Sequence, residues 1–188
     1  SKRIIYSNDI GKEIIQTDIN GNSTTVLYTA NYATRTLVTD NLNSTVYWNE
    51  LAGSSNFSKL MRSDINSFNP ELVLNVSTNQ MTDIQILKDT NLIYWRTDGD
   101  DIYNNYNGLE NLIITGQNNN NYAFCIDELN GHIYLTGWNG AGTLWRTDLN
   151  GNNSVYLSSG MPSNTDCMFF DDINQRIYYW SSSEIRYY

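Results

Sequence analysis

A two-residue element, one β-branched residue followed by tyrosine, returns along this chain at nearly fixed intervals. Nothing else in the sequence limits the accessible folds so sharply. It stands at Ile5-Tyr6, Val46-Tyr47, Ile93-Tyr94, Ile133-Tyr134 and Ile177-Tyr178. The tyrosines are 41, 47, 40 and 44 residues apart. A return of roughly 20–50 residues marks stacked supersecondary units, each too small to bury its own apolar faces.

Other features keep step with it. Asp40, Asp89, Asp127 and Asp171 precede the later tyrosines by 7, 5, 7 and 7 residues. Downstream lies a turn tripeptide: Ile19-Asn20-Gly21, Ile65-Asn66-Ser67, Tyr106-Asn107-Gly108 and Leu149-Asn150-Gly151. A short apolar run follows each turn, as in Val26-Leu27-Tyr28 and Leu112-Ile113-Ile114. Each unit thus holds four short runs rich in Ile, Val, Tyr, Trp and Thr, bounded by Asn, Gly, Asp and Ser. That is the signature of antiparallel strands joined by tight turns. No segment sustains a 3.6-residue apolar period, and Pro70 and Pro162 both fall at junctions between runs. The predicted class is all-β, and four antiparallel strands per 40–45 residues is the blade of a β-propeller.

Within the units, Ile93-Tyr94-Trp95-Arg96-Thr97-Asp98, Val46-Tyr47-Trp48-Asn49-Glu50 and Leu144-Trp145-Arg146-Thr147-Asp148-Leu149-Asn150-Gly151 resemble the YWTD repeat, the class B repeat of the LDL-receptor family. The stretch Phe169 to Trp180 reads the same way. The resemblance implies a β-propeller across residues 1–188, with blade repeats near 2–29, 30–78, 79–117, 118–160 and 161–188. It implies four-stranded blades, a non-enzymatic role, and capture of a protein or peptide partner on the loop face. The family closes six blades, which would need about 250 residues at this repeat length. About five repeats are visible here. The chain enters at the second strand of its first unit and stops in the third strand of its last. An incomplete or composite six-bladed ring is therefore expected, with self-association through open blade edges as a consequence.

Composition narrows the partner. Eleven Lys and Arg against twenty Asp and Glu leave a net charge of −9, which disfavours nucleic acid and anionic membrane surfaces. No apolar stretch reaches ten residues, so membrane insertion is not expected. An extracellular or cell-surface setting follows from the family resemblance. Five Asn-x-Ser/Thr acceptors, at Asn22, Asn43, Asn56, Asn75 and Asn152, permit glycosylation. With 28 Asn and 34 Ser plus Thr in 188 residues, about five such triplets arise by chance, so they do not argue for it.

Chemistry is sparse. The one histidine, His132, follows an Asn-Gly turn. No nucleophile elbow, Walker loop or dinucleotide fingerprint occurs, so no catalytic residue, metal or cofactor is expected. The Asp98-Gly99-Asp100-Asp101 cluster offers oxygen ligands for Ca²⁺ as the alternative, against a solvated turn. The repeated aspartates are read as turn caps rather than as a central acid site. Cys125 and Cys167 share a strand parity; two buried thiols are favoured over a disulfide. The candidate partner-binding residues are Trp138, in a Gly-rich loop, Trp180 and Arg96 at strand ends, and the acidic Glu50, Asp98, Asp100 and Asp101. A carbohydrate-binding module and a scaffold or filament subunit are the competing readings.

Overall fold

The computed structural model of the chain describes every residue except 1, 9, 52–56, 78, 117–122, 138–141, 163, 164, 182 and 183. The described residues form five antiparallel sheets. The first has three strands, β1 (Arg3–Asn8), β2 (Glu13–Asp18) and β3 (Thr25–Thr29). The second has four: β4 (Leu37–Asp40), β5 (Thr45–Leu51), β6 (Ser58–Asp64) and β7 (Glu71–Val76). The third joins β8 (Met81–Leu87), β9 (Leu92–Thr97), β10 (Ile102–Asn104) and β11 (Asn111–Ile114). The fourth joins β12 (Phe124–Asp127), β13 (His132–Thr136), β14 (Leu144–Asp148) and β15 (Val155–Ser158). The fifth is three-stranded, β16 (Thr165–Asp171), β17 (Arg176–Ser181) and β18 (Glu184–Tyr187). Among the described residues the one helical element is a single 3₁₀ turn, Tyr106–Gly108. The all-β expectation holds, with neighbours in sequence pairing as neighbours in space.

The chain divides into two compact units, residues 1–84 with 105–110, and residues 85–104 with 111–188. In the first, Ile14, Val46 and Trp48 are fully buried, and Ile5, Tyr28, Leu37 and Phe68 pack around them. The Trp48 and Phe68 rings stack at 5.7 Å. Buried Asn49 ties separate segments together. Its side-chain oxygen accepts the Arg35 and Thr36 N–H groups at 2.9 and 3.1 Å, and its amide donates to the Met81 carbonyl at 3.0 Å. These groups would otherwise be unpaired in a water-poor site, which is why an amide sits where the apolar pattern would put a hydrophobe.

In the second unit the cores lie between successive sheets. Tyr94 of the third sheet packs with Ile133 and Leu135 of the fourth. Cys125 and Tyr134 of the fourth pack with Met168, Phe170, Ile177 and Tyr179 of the fifth. The sheets are therefore asymmetric. The repeated tyrosine marks one face, and the residues on either side of it mark the other, as strand alternation requires.

The pairing register corrects one alignment made from sequence. Tyr47 lies opposite Arg62 and Tyr134 opposite Arg146, each two residues before the aspartate that ends its strand. In the first sheet the residue opposite Gln16, two before Asp18, is Ile5. The first unit is thus offset by one: Ile4-Ile5-Tyr6 matches Val46-Tyr47-Trp48. In this first unit the tyrosine of Ile5-Tyr6 stands at the third position of the motif, where Val46-Tyr47-Trp48 has tryptophan.

Strand-ending aspartates hold the turns. Asp40 accepts the Leu42 and Asn43 N–H groups at 3.0 and 3.2 Å, and Asp171 those of Ile173 and Asn174 at 3.0 and 3.2 Å. Asp127 accepts the Asn130 N–H at 3.0 Å. Asp89 departs from this pattern, its own N–H donating to Glu128 at 2.8 Å. A second series, Asp18, Asp64 and Asp148, caps the later turn in the same way, each receiving two backbone N–H groups within 3.0 Å. Turn chemistry accounts for both series.

Candidate protein-binding surface

Of the residues proposed from sequence for partner binding, Glu50 and Asp100 are buried and Trp180 is exposed. Glu50 is 3% exposed and accepts the Tyr28 hydroxyl at 3.1 Å and the Trp48 indole N–H at 3.4 Å. Its carboxylate belongs to the interior of the first unit, where two donors compensate its burial. Asp100 is 6% exposed and pairs with Arg96 at 3.2 Å, both side chains largely enclosed. Burial pushes the Asp100 carboxyl above the ordinary carboxylate range, against the pull of Arg96. Asp101 accepts the Gly116 N–H at 2.7 Å. Of this turn only Asp98 and Gly99 are exposed. The cluster is folded onto its own backbone and onto Arg96, which removes most of the acid that a partner would meet. Trp138 and the sequon at Asn56 lie outside the described residues. Asn22, Asn43, Asn75 and Asn152 are exposed. Among the described residues no three His, Cys, Asp or Glu side chains converge as a metal site would require. His132 is partly buried with its Nδ1 3.9 Å from Asp127.

Trp180 behaves differently. It lies on β17 opposite Cys167 of β16 and Ile185 of β18. Phe169, Tyr178 and Tyr187 form the next such row. Strand alternation puts both rows on one face of the fifth sheet. Phe169 is 62% exposed, Trp180 43%, Ile185 69% and Tyr187 60%. The other face of the same strands, with Met168, Phe170, Ile177 and Tyr179, is buried against the fourth sheet.

The register explains the contrast. Phe169 and Tyr178 hold the positions that Cys125 and Tyr134 hold one repeat earlier. There the next sheet covers them, with Tyr134 stacked on Phe170 at 5.6 Å. Among the described residues of the second unit no further sheet covers this face of the fifth. The expectation of two buried thiols holds for Cys125 and not for Cys167, which shares its parity but is exposed, and neither is in a disulfide. The face is rimmed by Arg176, whose guanidinium sits 4.6 Å from the centre of the Tyr187 ring. A cation over an aromatic ring holds that ring in place without burying it. An exposed, contiguous group of aromatic and aliphatic side chains on a rigid sheet can take up apolar surface from a partner.

No protein-family profile matches the chain, and no characterised protein sequence does. Comparison of folds does find neighbours. A chain of the solved nidogen/laminin complex superposes with a TM-score of 0.73 at 14% identity, over 94% of this chain and 68% of that one. TolB from Acinetobacter baumannii superposes with a TM-score of 0.74 at 10% identity, over 98% of this chain and 49% of TolB. The fold is a β-propeller. At these identities the likeness is one of fold, and this chain spans about half the length of the TolB chain. Among the described residues no helix is long and apolar enough to cross a membrane.

Proposed function

We propose that the chain is a non-enzymatic, extracellular or cell-surface β-propeller module that captures a protein partner. The observation that carries this is the uncovered face of the fifth sheet, where Phe169, Trp180, Ile185 and Tyr187 stand exposed in two registered rows. The occupant is a protein surface with an apolar centre and a neutral or basic rim, since the chain carries −9. The nidogen/laminin neighbour is itself an assembly of proteins, which is in keeping with this use of the fold. The loop acids Glu50 and Asp100 are enclosed, which favours the sheet face over the loops as the docking surface.

A second copy is the other occupant that a specific observation favours. Ile4, Tyr6 and Val26 are 46%, 40% and 48% exposed. They lie on the face of the first sheet that corresponds to the one with which β13 and β17 cover their preceding sheets.

A photo-crosslinking amino acid in place of Phe169 identifies the partner in secreted material, and affinity is then measured with purified components. Trp180→Ala should weaken binding by about tenfold or more while leaving the thermal midpoint unchanged. Unaltered affinity in that variant overturns the reading. Saturable, Trp180-dependent binding on a glycan array would replace it with carbohydrate recognition, and mass that grows with concentration in light scattering would identify the second copy.

A further inference from the structure

Where β6 turns into β7, the second sheet carries a polar pair that its counterparts lack. The residue opposite the repeated tyrosine is Arg62, and facing it on β7 is Glu71. The matching pairs are Gln16 with Thr25 in the first sheet, Asn104 with Asn111 in the third and Arg146 with Val155 in the fourth. Of these four sheets only the second has a carboxylate there. Glu71, Arg62, Asp64, Ser67, Asn69 and Thr45 line an open cavity of about 260 Å³, entirely within the first unit, and all of its lining side chains are polar.

The charges in this cavity already have partners. Arg62 gives two N–H groups, Nε at 3.1 Å and Nη2 at 3.0 Å, to one Glu71 oxygen, Oε2. Asp64 Oδ1 accepts the backbone N–H groups of Asn66 and Ser67 at 2.9 Å each and the Ser67 hydroxyl at 3.2 Å. A bare ion therefore meets little uncompensated charge, and what remains is hydrogen-bonding capacity of both senses. Among the described residues, Glu71 Oε1 and Asp64 Oδ2 accept no hydrogen bond and the exposed Asn69 amide makes none. A guanidinium has five N–H groups, so Arg62 keeps some beyond the two given to Glu71. The fourth sheet shows the closed form of the same turn. There Asn153, five residues beyond Asp148 and at φ 54°, donates to Asp148 Oδ2 at 2.8 Å. Asn69 stands at the same offset from Asp64 but precedes Pro70, which favours extended backbone, and the second oxygen of Asp64 stays open.

We propose that this cavity is a subsite for one pyranose ring, the terminal residue of a neutral glycan. Neighbouring ring hydroxyls donate to Glu71 Oε1 and Asp64 Oδ2 and accept from Asn69 and Arg62. The volume falls below the roughly 300–1,000 Å³ of sites for drug-sized ligands, which suits a single ring. The open side leaves the anomeric oxygen in solvent, where the rest of the glycan continues. Binding rests on hydrogen bonds without an aromatic platform, so a dissociation constant on the order of 1–10 mM is expected. None of these residues belongs to the fifth-sheet face, so the two proposals stand or fall independently.

The test titrates the whole chain with the methyl glycosides of glucose, galactose, mannose and N-acetylglucosamine, followed by amide chemical shifts in NMR. The expected result is saturable shifts confined to residues 62–71 with at least one glycoside. Glu71→Val, which copies the residue of the fourth sheet, should weaken that binding by about tenfold or more, and Asn69→Ala by several-fold. Trp180→Ala should leave it unchanged. If Glu71→Val does not fold, Asn69→Ala carries the test. The proposal is overturned by the absence of shifts in residues 62–71 at about 50 mM of every glycoside, or by equal shifts with glycerol at the same concentration. Undiminished affinity in Asn69→Ala, or loss of binding in Trp180→Ala, overturns it as well.

Discussion

At the scale of single residues, this protein is held by aspartates that bond to their own turns. Asn22 holds Asp18 below the usual carboxylate range, Ser67 does so for Asp64, Asn152 for Asp148, and the Asn174 side chain for Asp171. Each is a carboxylate accepting N–H groups, which favours the charged form. A depressed folded pKa contributes stability that is fully present above the unfolded value, near 4, and is lost as pH falls through the folded value. Asp100 acts in the opposite sense, since its carboxyl is pushed up by burial, but it is one against four. Thermal midpoints should hold steady from about pH 7 to about 5 and decline below about 4. In Asp148→Asn the decline should be shallower, although the midpoint at neutral pH is lower. A midpoint that rose on acidification would contradict the assignment. Asp64 is exposed and Asp18, Asp148 and Asp171 are half-buried at the surface, so each makes a small, solvent-screened contribution.

At the scale of strands and turns, the same turn recurs with different surroundings, and glycine reports the difference. Gly21 and Gly151 each lie three residues beyond the capping aspartate, with φ of 76° and 77°. A Cβ on Gly21 would meet nothing within 4 Å, whereas on Gly151 it would lie 2.2 Å from the Ile113 carbonyl oxygen of β11. Gly21→Ala should therefore cost only the left-handed backbone penalty, about 1–2 kcal/mol. Gly151→Ala adds a backbone collision and should cost about 3 kcal/mol or more. Denaturant midpoints of the two variants, with equal slopes, check the ordering.

Strands, repeats and turn caps were legible in the sequence because they rest on local composition: β-branched and aromatic runs, Asn-Gly pairs, and aspartates at fixed offsets. The left-handed turn positions before β5, β9 and β17 were not. Ser44, Asn91 and Gln175 occupy them at φ of 52°, 55° and 53°, where the fourth repeat has Gly131. The exposed face of the fifth sheet was legible only at Trp180. Phe169, Ile185 and Tyr187 sit in strands whose composition suits burial on both faces, so their exposure depends on which neighbour is present. Glu50 is enclosed for the converse reason: Trp48 donates to it from two residues away, but nothing local announces the second donor, Tyr28, 22 residues away.

For the molecule as a whole, the excess of acid governs approach more than it governs the bound state. With −9 spread over 188 residues, a partner with a basic rim is drawn in at long range, and salt screens that attraction. Raising ionic strength from about 0.05 to about 0.5 M should slow association several-fold while changing dissociation little. Stopped-flow measurement separates the two, and a salt effect confined to dissociation would count against steering.

The inequality between the two faces of every sheet gives the stacking within each unit a direction. The tyrosine side of the third sheet is met by the isoleucine side of the fourth, and the fourth meets the fifth in the same sense. Such a series is not symmetric under reversal. A duplicated repeat spliced in with its order kept arrives with the correct side facing each neighbour, while an inverted one presents like to like. Growth by tandem duplication is therefore structurally permitted in this protein, since a repeat offers one surface forward and a different one back.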